Sequence, residues 1–156
     1  MNGTVTELVL ELSRRGQTVA VAESLTGGML CAALVDVPGA SQVLRGGLVV
    51  YATDLKTSLA GVPADLLDQQ GPVDPDVALA MARGARERCR ADWGLATTGV
   101  AGPDPQDGVA VGTVYVAVAD AGDARVRRLE LDGDRDAIRT EAVAAALDLL
   151  RACLAG

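Results

Sequence analysis

The sequence predicts an α/β fold, a three-layer α/β/α sandwich on a mixed, mostly parallel sheet of about five strands. Short apolar runs rich in valine and alanine alternate with segments whose apolar residues recur at helical spacing. Such alternation is typical of a sheet covered by helices on both faces, and one hairpin near the end makes the sheet mixed. The 156 residues suffice for one domain, which we expect to span 1–156.

The first half of the chain predicts an opening helix, followed by two strands that each lead into a helix. Residues 4–15 carry valine and leucine on one helical face, and Gly16 ends that helix. Strands are expected at 18–22 and 46–52, and helices at 26–35 and 55–59. The strand at 46–52 is apolar almost throughout, which favours burial on both faces, and Thr53 is a candidate cap for the next helix.

The second half of the chain predicts a short helix, three more strands and the two longest covering helices. Pro63 opens the short helix, and Asp74 precedes a long one. Strands are expected at 93–98, 111–118 and 124–131, and long helices at 77–90 and from Asp134 onward. The strand at 124–131 alternates charged and apolar residues, which is typical of an edge strand.

The composition argues against several functional classes. A formal charge of -7 disfavours binding to nucleic acid or to a membrane surface, because phosphate groups repel a negative protein. No run approaches the ~20 apolar residues of a membrane span, and the N-terminus lacks a secretory-signal pattern. The three cysteines are widely spaced and outside any CxxC motif, which indicates free thiols in a reducing compartment. We therefore expect a cytoplasmic location.

The basic residues restrict the available chemistry. The chain has no histidine, which excludes a Ser-His-Asp triad and any histidine-ligated metal site. Its 14 basic residues include a single lysine, Lys56. Lysine can lose its proton when desolvated and act as a base, whereas arginine stays charged. Lys56 therefore marks a position where arginine could not substitute, unless it is simply the one lysine left by a strong arginine preference.

A strand, a turn and a helix start follow one another at 18–28. Such a junction exposes the side chain at the turn and directs free N–H groups of the first helical turn toward a ligand above it. Ser24 is placed there as a nucleophile or an anion ligand. The structural alternative is that Ser24 or Thr26 only caps the helix.

Polar and glycine-rich segments follow three of the predicted strands, at 23–28, 51–56 and 98–103. Ligands of open α/β sheets bind outside the carboxyl ends of the strands. We therefore expect the three segments to converge, with Tyr51 and Lys56 leaving the same strand end.

Taken in order, the motifs at these strand ends resemble those of the CinA C-terminal domain family, whose stand-alone members are nicotinamide-mononucleotide amidohydrolases. The resemblance covers nearly the whole chain. It is carried by AESLTGG (22–28), DVPGAS (36–41), GGLVVY (46–51) with Lys56, LAGVP (59–63), TGVAGP (98–103) and VGTV (111–114).

The resemblance implies hydrolysis of the carboxamide of nicotinamide mononucleotide to the acid and ammonia, without a metal or another cofactor. It implies Ser24 as the nucleophile with Tyr51 and Lys56 as supporting groups, the Lys56 amine taking the Ser24 proton directly or through the Tyr51 hydroxyl. The implied substrate-binding residues are Glu23, Thr26, Gly27, Gly28, Gly47, Thr98, Gly99, Ala101 and Gly102. Family members commonly self-associate, which implies a homo-oligomer acting on a small molecule in pyridine-nucleotide salvage.

Within this assignment several roles stay open. The N–H groups of the Thr26-Gly27-Gly28 backbone could stabilise an oxyanion or hold the 5′-phosphate. Glu23 could orient Lys56 or Ser24, or pair with an arginine. Tyr51 could be only a strand-end tyrosine, and 98–103 could be only a structural turn.

Four positions depart from the family pattern. Thr53 stands where relatives usually have asparagine, Asp74 where they commonly have serine, and Val109 and Ala110 where they usually have Lys-Pro. Because of these departures a second function stays possible, that of a catalytically silent nucleotide-binding or regulatory module.

Overall fold

Helices and strands alternate in the order that the sequence predicts. The computed structural model describes residues 2–156. Its elements are α1 (Asn2–Arg15), β1 (Val19–Glu23), α2 (Met29–Val35), β2 (Leu44–Val49), α3 (Thr53–Ser58), α4 (Ala64–Gln70), α5 (Pro75–Cys89), β3 (Trp93–Gly99), β4 (Thr113–Ala119), β5 (Ala124–Glu130) and α6 (Arg135–Ala155), with a short 3₁₀ turn (Ala40–Gln42) before β2. None of these helices is long and apolar enough to cross a membrane.

The five strands form one sheet in the order β2-β1-β3-β4-β5. β1 pairs in parallel with both β2 and β3, whereas β4 is antiparallel to β3 and to β5. Four of the five strands therefore point the same way, and only β4 runs in the opposite direction. The predicted mixed, mostly parallel sheet is confirmed.

Helices cover both faces of the sheet, which gives the predicted three layers. α1, α2 and α6 bury leucine, isoleucine and valine against one face. The segments from α3 to α5 bury mainly alanine and valine against the other. Small side chains there let α5 lie close: a Cβ on Gly84 would fall 1.6 Å from the carbonyl oxygen of Ala60, and one on Gly94 would fall 1.9 Å from that of Ala82.

Three local expectations were wrong. Thr53 is the first residue of α3 and not its cap, because the N-cap position falls on Ala52. β2 lies at the edge of the sheet, and its residues alternate between half-buried and exposed instead of being buried on both faces. α2 begins at Met29 because Gly27 and Gly28, at φ 54° and 108°, form a turn that is not helical. The edge position of β5 is as predicted, with the same alternation of burial.

Aspartate caps fix the starts of the two longest covering helices. The Asp74 carboxylate accepts hydrogen bonds from the N–H groups of Asp76 and Val77, and the Asp134 carboxylate accepts one from Ala137. Serine and aspartate are both good N-cap residues, so Asp74 can cap this helix as the serine expected from the family pattern would. The Asp134 cap places Arg135 in the first turn of α6.

Candidate active site

The carboxyl ends of β1, β2 and β3 meet at one edge of the sheet because these strands are parallel. The segments that follow them enclose a cavity of ≈ 610 Å³, counted out to its open mouth. The structure brings together, in the lining of this cavity, seven of the residues predicted for the site: Ser24, Tyr51, Lys56, Thr98, Gly99, Ala101 and Gly102.

Ser24 follows β1 directly and is held by the neighbouring strand. Its N–H donates to the carbonyl of Thr97 at 3.0 Å, and only 8% of the residue is exposed. Gly28 occupies the N-cap position of α2 without a side-chain cap bond. The alternative in which Ser24 or Thr26 caps this helix is therefore wrong, and the Ser24 hydroxyl is left for the cavity.

Lys56 enters the site from α3 and is 1% exposed. Its Nζ lies 2.9 Å from Ser24 Oγ, 2.8 Å from the Val50 carbonyl oxygen and 3.4 Å from the Tyr51 carbonyl oxygen. A neutral amine has two N–H donors and one lone pair. The two carbonyls can accept from the donors while the Ser24 hydroxyl donates to the lone pair, so the deprotonated amine satisfies all three neighbours.

Burial disfavours the charged form of this amine. Desolvation lowers the pKa of Lys56 from its ordinary 10.5 to about 8. Within residues 2–156 no carboxylate forms an ion pair with Lys56, so no such pair raises the pKa of the amine again. The Lys56 amine therefore loses its proton much closer to neutral pH than a free lysine does, and the neutral form is the state that a general base requires.

Tyr51 lies at the mouth of the cavity and is 60% exposed. Its hydroxyl accepts a hydrogen bond from Arg135 Nη2 at 3.2 Å, while its carbonyl oxygen faces the Lys56 amine. Within residues 2–156 the Tyr51 hydroxyl makes no hydrogen bond to Ser24 or Lys56, so the contact between Lys56 and Ser24 favours the direct route of the two expected.

Glu23 was expected to contact the substrate, but it does not line the cavity. Its carboxylate is fully buried and accepts hydrogen bonds from the N–H groups of Leu30 and Cys31 at 2.8 and 3.0 Å. A carboxylate is stabilised there by the free donors and the dipole of the α2 N-terminus. Glu23 thus anchors α2, and among the described residues its carboxylate neither pairs with an arginine nor forms a hydrogen bond with Lys56 or Ser24.

Four other predicted contacts, Thr26, Gly27, Gly28 and Gly47, also lie outside the lining. The Thr26 hydroxyl is buried 2.7 Å from the hydroxyl of Thr97. A Cβ on Gly47 would fall 2.9 Å from both Cys31 Sγ and a Val21 methyl, so this glycine allows α2 to pack on β2. The Gly27 N–H donates to the Ser24 carbonyl at 3.1 Å and is not available to a ligand.

The peptide groups of the turn leave other donors free. Within residues 2–156, no acceptor takes the N–H of Leu25, Thr26 or Gly28. Leu25 follows Ser24 directly and lines the cavity, whereas Thr26 and Gly28 do not. The first candidate donor for an oxyanion is therefore the N–H of Leu25, the residue before the predicted group, with the free N–H of Thr26 next to it in the chain.

The segment after β3 forms the opposite wall. Thr98 Oγ1 donates to the Pro72 carbonyl at 2.6 Å, which ties this wall to the segment before α5. Arg135 Nη1 donates to the Gly102 carbonyl at 2.6 Å. Thr98 and Gly102 are thus held by structural bonds and also face the cavity.

Arg135 is the most consequential lining residue that the sequence reasoning missed. β5 runs in the same direction as β1 and β3, so the helix that follows it begins at the site edge. The hairpin and the Asp134 cap, taken together, were the signal that could have revealed it. The other missed lining residues are Leu25, Thr53, Pro72, Val73, Val100, Asp104 and Gln106.

Fold and site together define a class of protein: an α/β sandwich that presents a buried lysine to a serine at the carboxyl edge of its sheet. Residues 2–154 match the model of the CinA C-terminal domain, and the chain belongs to this family.

Curated relatives and solved structures agree with this assignment. A CinA-like protein of Frankia casuarinae is 52% identical over 145 residues, which cover 93% of this chain and 34% of the relative. One from Geobacter sulfurreducens is 47% identical over 152 residues, covering 96% of this chain and 37% of the relative. The chain thus spans about a third of the length of these relatives.

The crystal structure of competence/damage inducible protein CihA from Agrobacterium tumefaciens superposes with a TM-score of 0.94 at 34% identity. The match covers 99% of this chain and 95% of that one. A competence or damage-inducible protein from Enterobacter asburiae gives a TM-score of 0.95 at 31% identity, over 98% and 97% of the two chains.

Proposed function

We propose that the protein is an amidohydrolase that converts the carboxamide of nicotinamide mononucleotide into the carboxylic acid and ammonia. The observation that carries the proposal is the contact of 2.9 Å between Lys56 Nζ and Ser24 Oγ at the cavity. A buried lysine of lowered pKa beside a serine hydroxyl is an activated nucleophile that needs no histidine. The substrate itself rests on the family resemblance.

The first half of the reaction forms an acyl-enzyme. The neutral Lys56 amine takes the Ser24 proton as Oγ bonds to the carboxamide carbon, and the carbonyl oxygen becomes an oxyanion. The N–H groups of Leu25 and Thr26, which no acceptor takes within residues 2–156, are the candidates to stabilise that charge, a contribution of about 3 kcal/mol per donor in other acyl-transfer enzymes. The Lys56 ammonium then protonates the leaving nitrogen, the C–N bond breaks and ammonia leaves.

The second half regenerates the serine. Lys56 takes a proton from a water molecule as the water oxygen bonds to the acyl carbon. The ester bond to Ser24 Oγ then breaks, and Lys56 returns the proton to that oxygen. The carbonyl oxygens of Val50 and Tyr51 keep Lys56 Nζ in place in both of its protonation states.

Arg135 supplies a fixed positive charge for the 5′-phosphate. Within residues 2–156, it and Lys56 are the two basic side chains that line the cavity. A guanidinium at a helix start suits a phosphate ligand in both charge and geometry. Arg135 thereby offers a cation to the site although Val109 stands where the family pattern leads us to expect a lysine.

The test is to incubate the purified chain with nicotinamide mononucleotide and to quantify ammonia and nicotinic acid mononucleotide. The proposal expects both products in equal amounts. Absence of both at micromolar enzyme and millimolar substrate would contradict it.

A second candidate, a nucleotide-binding module without turnover, is favoured by one observation. Thr53 lines the cavity at the position where relatives usually supply a side-chain amide. Calorimetry separates the two functions, because saturable heat of nucleotide binding without ammonia release is the result expected only of the module.

A further inference from the structure

The Arg139 side chain contacts the backbone of the turn that follows Ser24, at Leu25 and Thr26. It lies on α6 four residues after Arg135, and its Nε donates to the Leu25 carbonyl at 2.8 Å. Its Nη2 lies 3.4 Å from the Thr26 carbonyl oxygen. α6 therefore contacts the site twice, through Arg135 at the cavity and through Arg139 at the backbone of the turn.

The carbonyl oxygens of Ser24, Leu25 and Thr26 accept hydrogen bonds from different donors. The Ser24 carbonyl accepts from the Gly27 N–H, and the Thr26 carbonyl accepts from the Met29 N–H. Within residues 2–156, Arg139 is the donor that reaches the Leu25 carbonyl. The orientation of the peptide between Leu25 and Thr26 therefore depends on one guanidinium.

A trans peptide carries its C=O and its N–H on opposite sides. Holding the Leu25 carbonyl toward α6 therefore holds the Thr26 N–H away from α6. Loss of the guanidinium removes the donor that holds the Leu25 carbonyl in this orientation. Rotation of the peptide would then move that carbonyl toward the side that the Thr26 N–H now occupies. A carbonyl oxygen in place of that N–H would repel an oxyanion at Ser24 instead of stabilising it.

We propose that Arg139 is a positioning residue that fixes the Leu25–Thr26 peptide, so that its N–H is presented on the nucleophile side of the turn. The inference rests on the proposed serine chemistry but not on the identity of the substrate. The two can therefore be tested separately.

The first measurement uses nicotinamide mononucleotide. Arg139→Met removes the donors at similar side-chain length, and Arg139→Lys keeps the charge without the fork that spans two carbonyls. Both are expected to lower kcat at least about tenfold with KM within about twofold of wild type, because only the transition state carries the oxyanion. Arg151→Met, on the exposed side of the same helix, is the matched control and is expected to leave both constants unchanged.

A structural role alone would not produce chemical rescue. In Arg139→Ala, millimolar methylguanidinium is expected to restore part of kcat, and methylammonium is not. The thermal midpoints of all variants, followed by circular dichroism, check that they are folded. A folded Arg139→Met with wild-type kcat would overturn the inference.

The second measurement uses a fluorophosphonate and does not depend on the substrate. Ser24 Oγ forms a bond to phosphorus, the P–F bond breaks, fluoride leaves and the hydroxyl proton passes to Lys56. The phosphoryl oxygen then occupies the oxyanion position. Arg139→Met is expected to label at least about tenfold more slowly than wild type, and Ser24→Ala is expected not to label.

The outcomes separate the two proposals. Labelling of wild type without ammonia release would contradict the proposed substrate. The role of Arg139 would then be decided by the labelling rates of wild type and Arg139→Met. Equal labelling rates in wild type and Arg139→Met would overturn the role of Arg139. Absence of labelling in wild type would overturn it as well, because a formed oxyanion site beside an activated serine reacts.

Discussion

At the residue scale, the decisive feature is a lysine amine buried among acceptors. Lys56 Nζ faces two carbonyl oxygens and one hydroxyl, and none of these neighbours carries a charge. The environment therefore accepts either protonation state, and burial moves the balance toward the neutral one. Arginine could not serve here because it does not release its proton.

The pH dependence of hydrolysis reports on this amine. Below the lowered pKa of about 8, kcat/KM is expected to rise about tenfold per pH unit, because only the neutral fraction of Lys56 activates Ser24. Above that pH it is expected to level off. The measurement is initial rates of ammonia release from pH 6 to 10, and a flat profile between pH 6 and 8 would contradict the assignment of Lys56 as the base.

Arg135 provides a separate test of substrate recognition. Arg135→Gln is expected to raise KM for nicotinamide mononucleotide about tenfold or more, since a charge-assisted contact to the phosphate is lost. Nicotinamide riboside lacks the phosphate and is the matched substrate, on which wild type and variant are expected to perform equally. An equal loss on both substrates would mean that Arg135 acts through Tyr51 and Gly102 and not on the phosphate.

At the element scale, the close approach of α5 to the rest of the structure holds the layers together. Gly84 faces the Ala60 backbone so closely that a methyl group would overlap the carbonyl oxygen. Gly84→Ala is therefore expected to lower the free energy of unfolding by about 3 kcal/mol, since a backbone segment must move to make room.

The matched control for this substitution is Gly3→Ala, in α1. A Cβ on Gly3 would meet nothing within 4 Å. This variant is expected to match wild type or to gain up to about 1 kcal/mol, because alanine favours helix. Chemical denaturation of the three proteins provides the comparison, and equal midpoints for Gly84→Ala and Gly3→Ala would contradict the described packing.

Element type was predictable from the sequence, whereas edge position and exact boundaries were not. Apolar periodicity identified the strands and the covering helices, and the alternation in β5 identified one edge. β2 carries an apolar run although it is the other edge, because strand order depends on pairings that periodicity does not encode. The start of α2 was missed by three residues because two glycines at positive φ extend the turn.

At the whole-molecule scale, the topology assembles the site. Three parallel strand ends bring Ser24, Lys56 and Thr98 together, and this convergence followed from the general rule for open sheets. The contributions of α6 did not follow from that rule, because they depend on β5 returning to the direction of β1. Arg135 and Arg139 were therefore missed. They lie more than a hundred residues after Ser24 in sequence, yet Arg135 reaches the same cavity and Arg139 the same turn.

Buried charges were the other limit of prediction. A glutamate beside a candidate nucleophile resembles a catalytic group in sequence, yet the Glu23 carboxylate is used by the N-terminus of α2. Which neighbour a buried carboxylate contacts depends on how a helix is oriented over the strand. Sequence spacing alone does not define that orientation.

The central claim is that Ser24 and Lys56 form one catalytic pair. Its most direct test is ammonia release from nicotinamide mononucleotide at pH 8 by wild type, Ser24→Ala and Lys56→Arg, with the exposed Ser58→Ala as the control. We expect turnover in wild type and Ser58→Ala, and a loss of at least about 10³-fold in each of the other two, because neither a nucleophile without a base nor a base without a nucleophile suffices. Turnover by Ser24→Ala or by Lys56→Arg at the wild-type rate would contradict the claim.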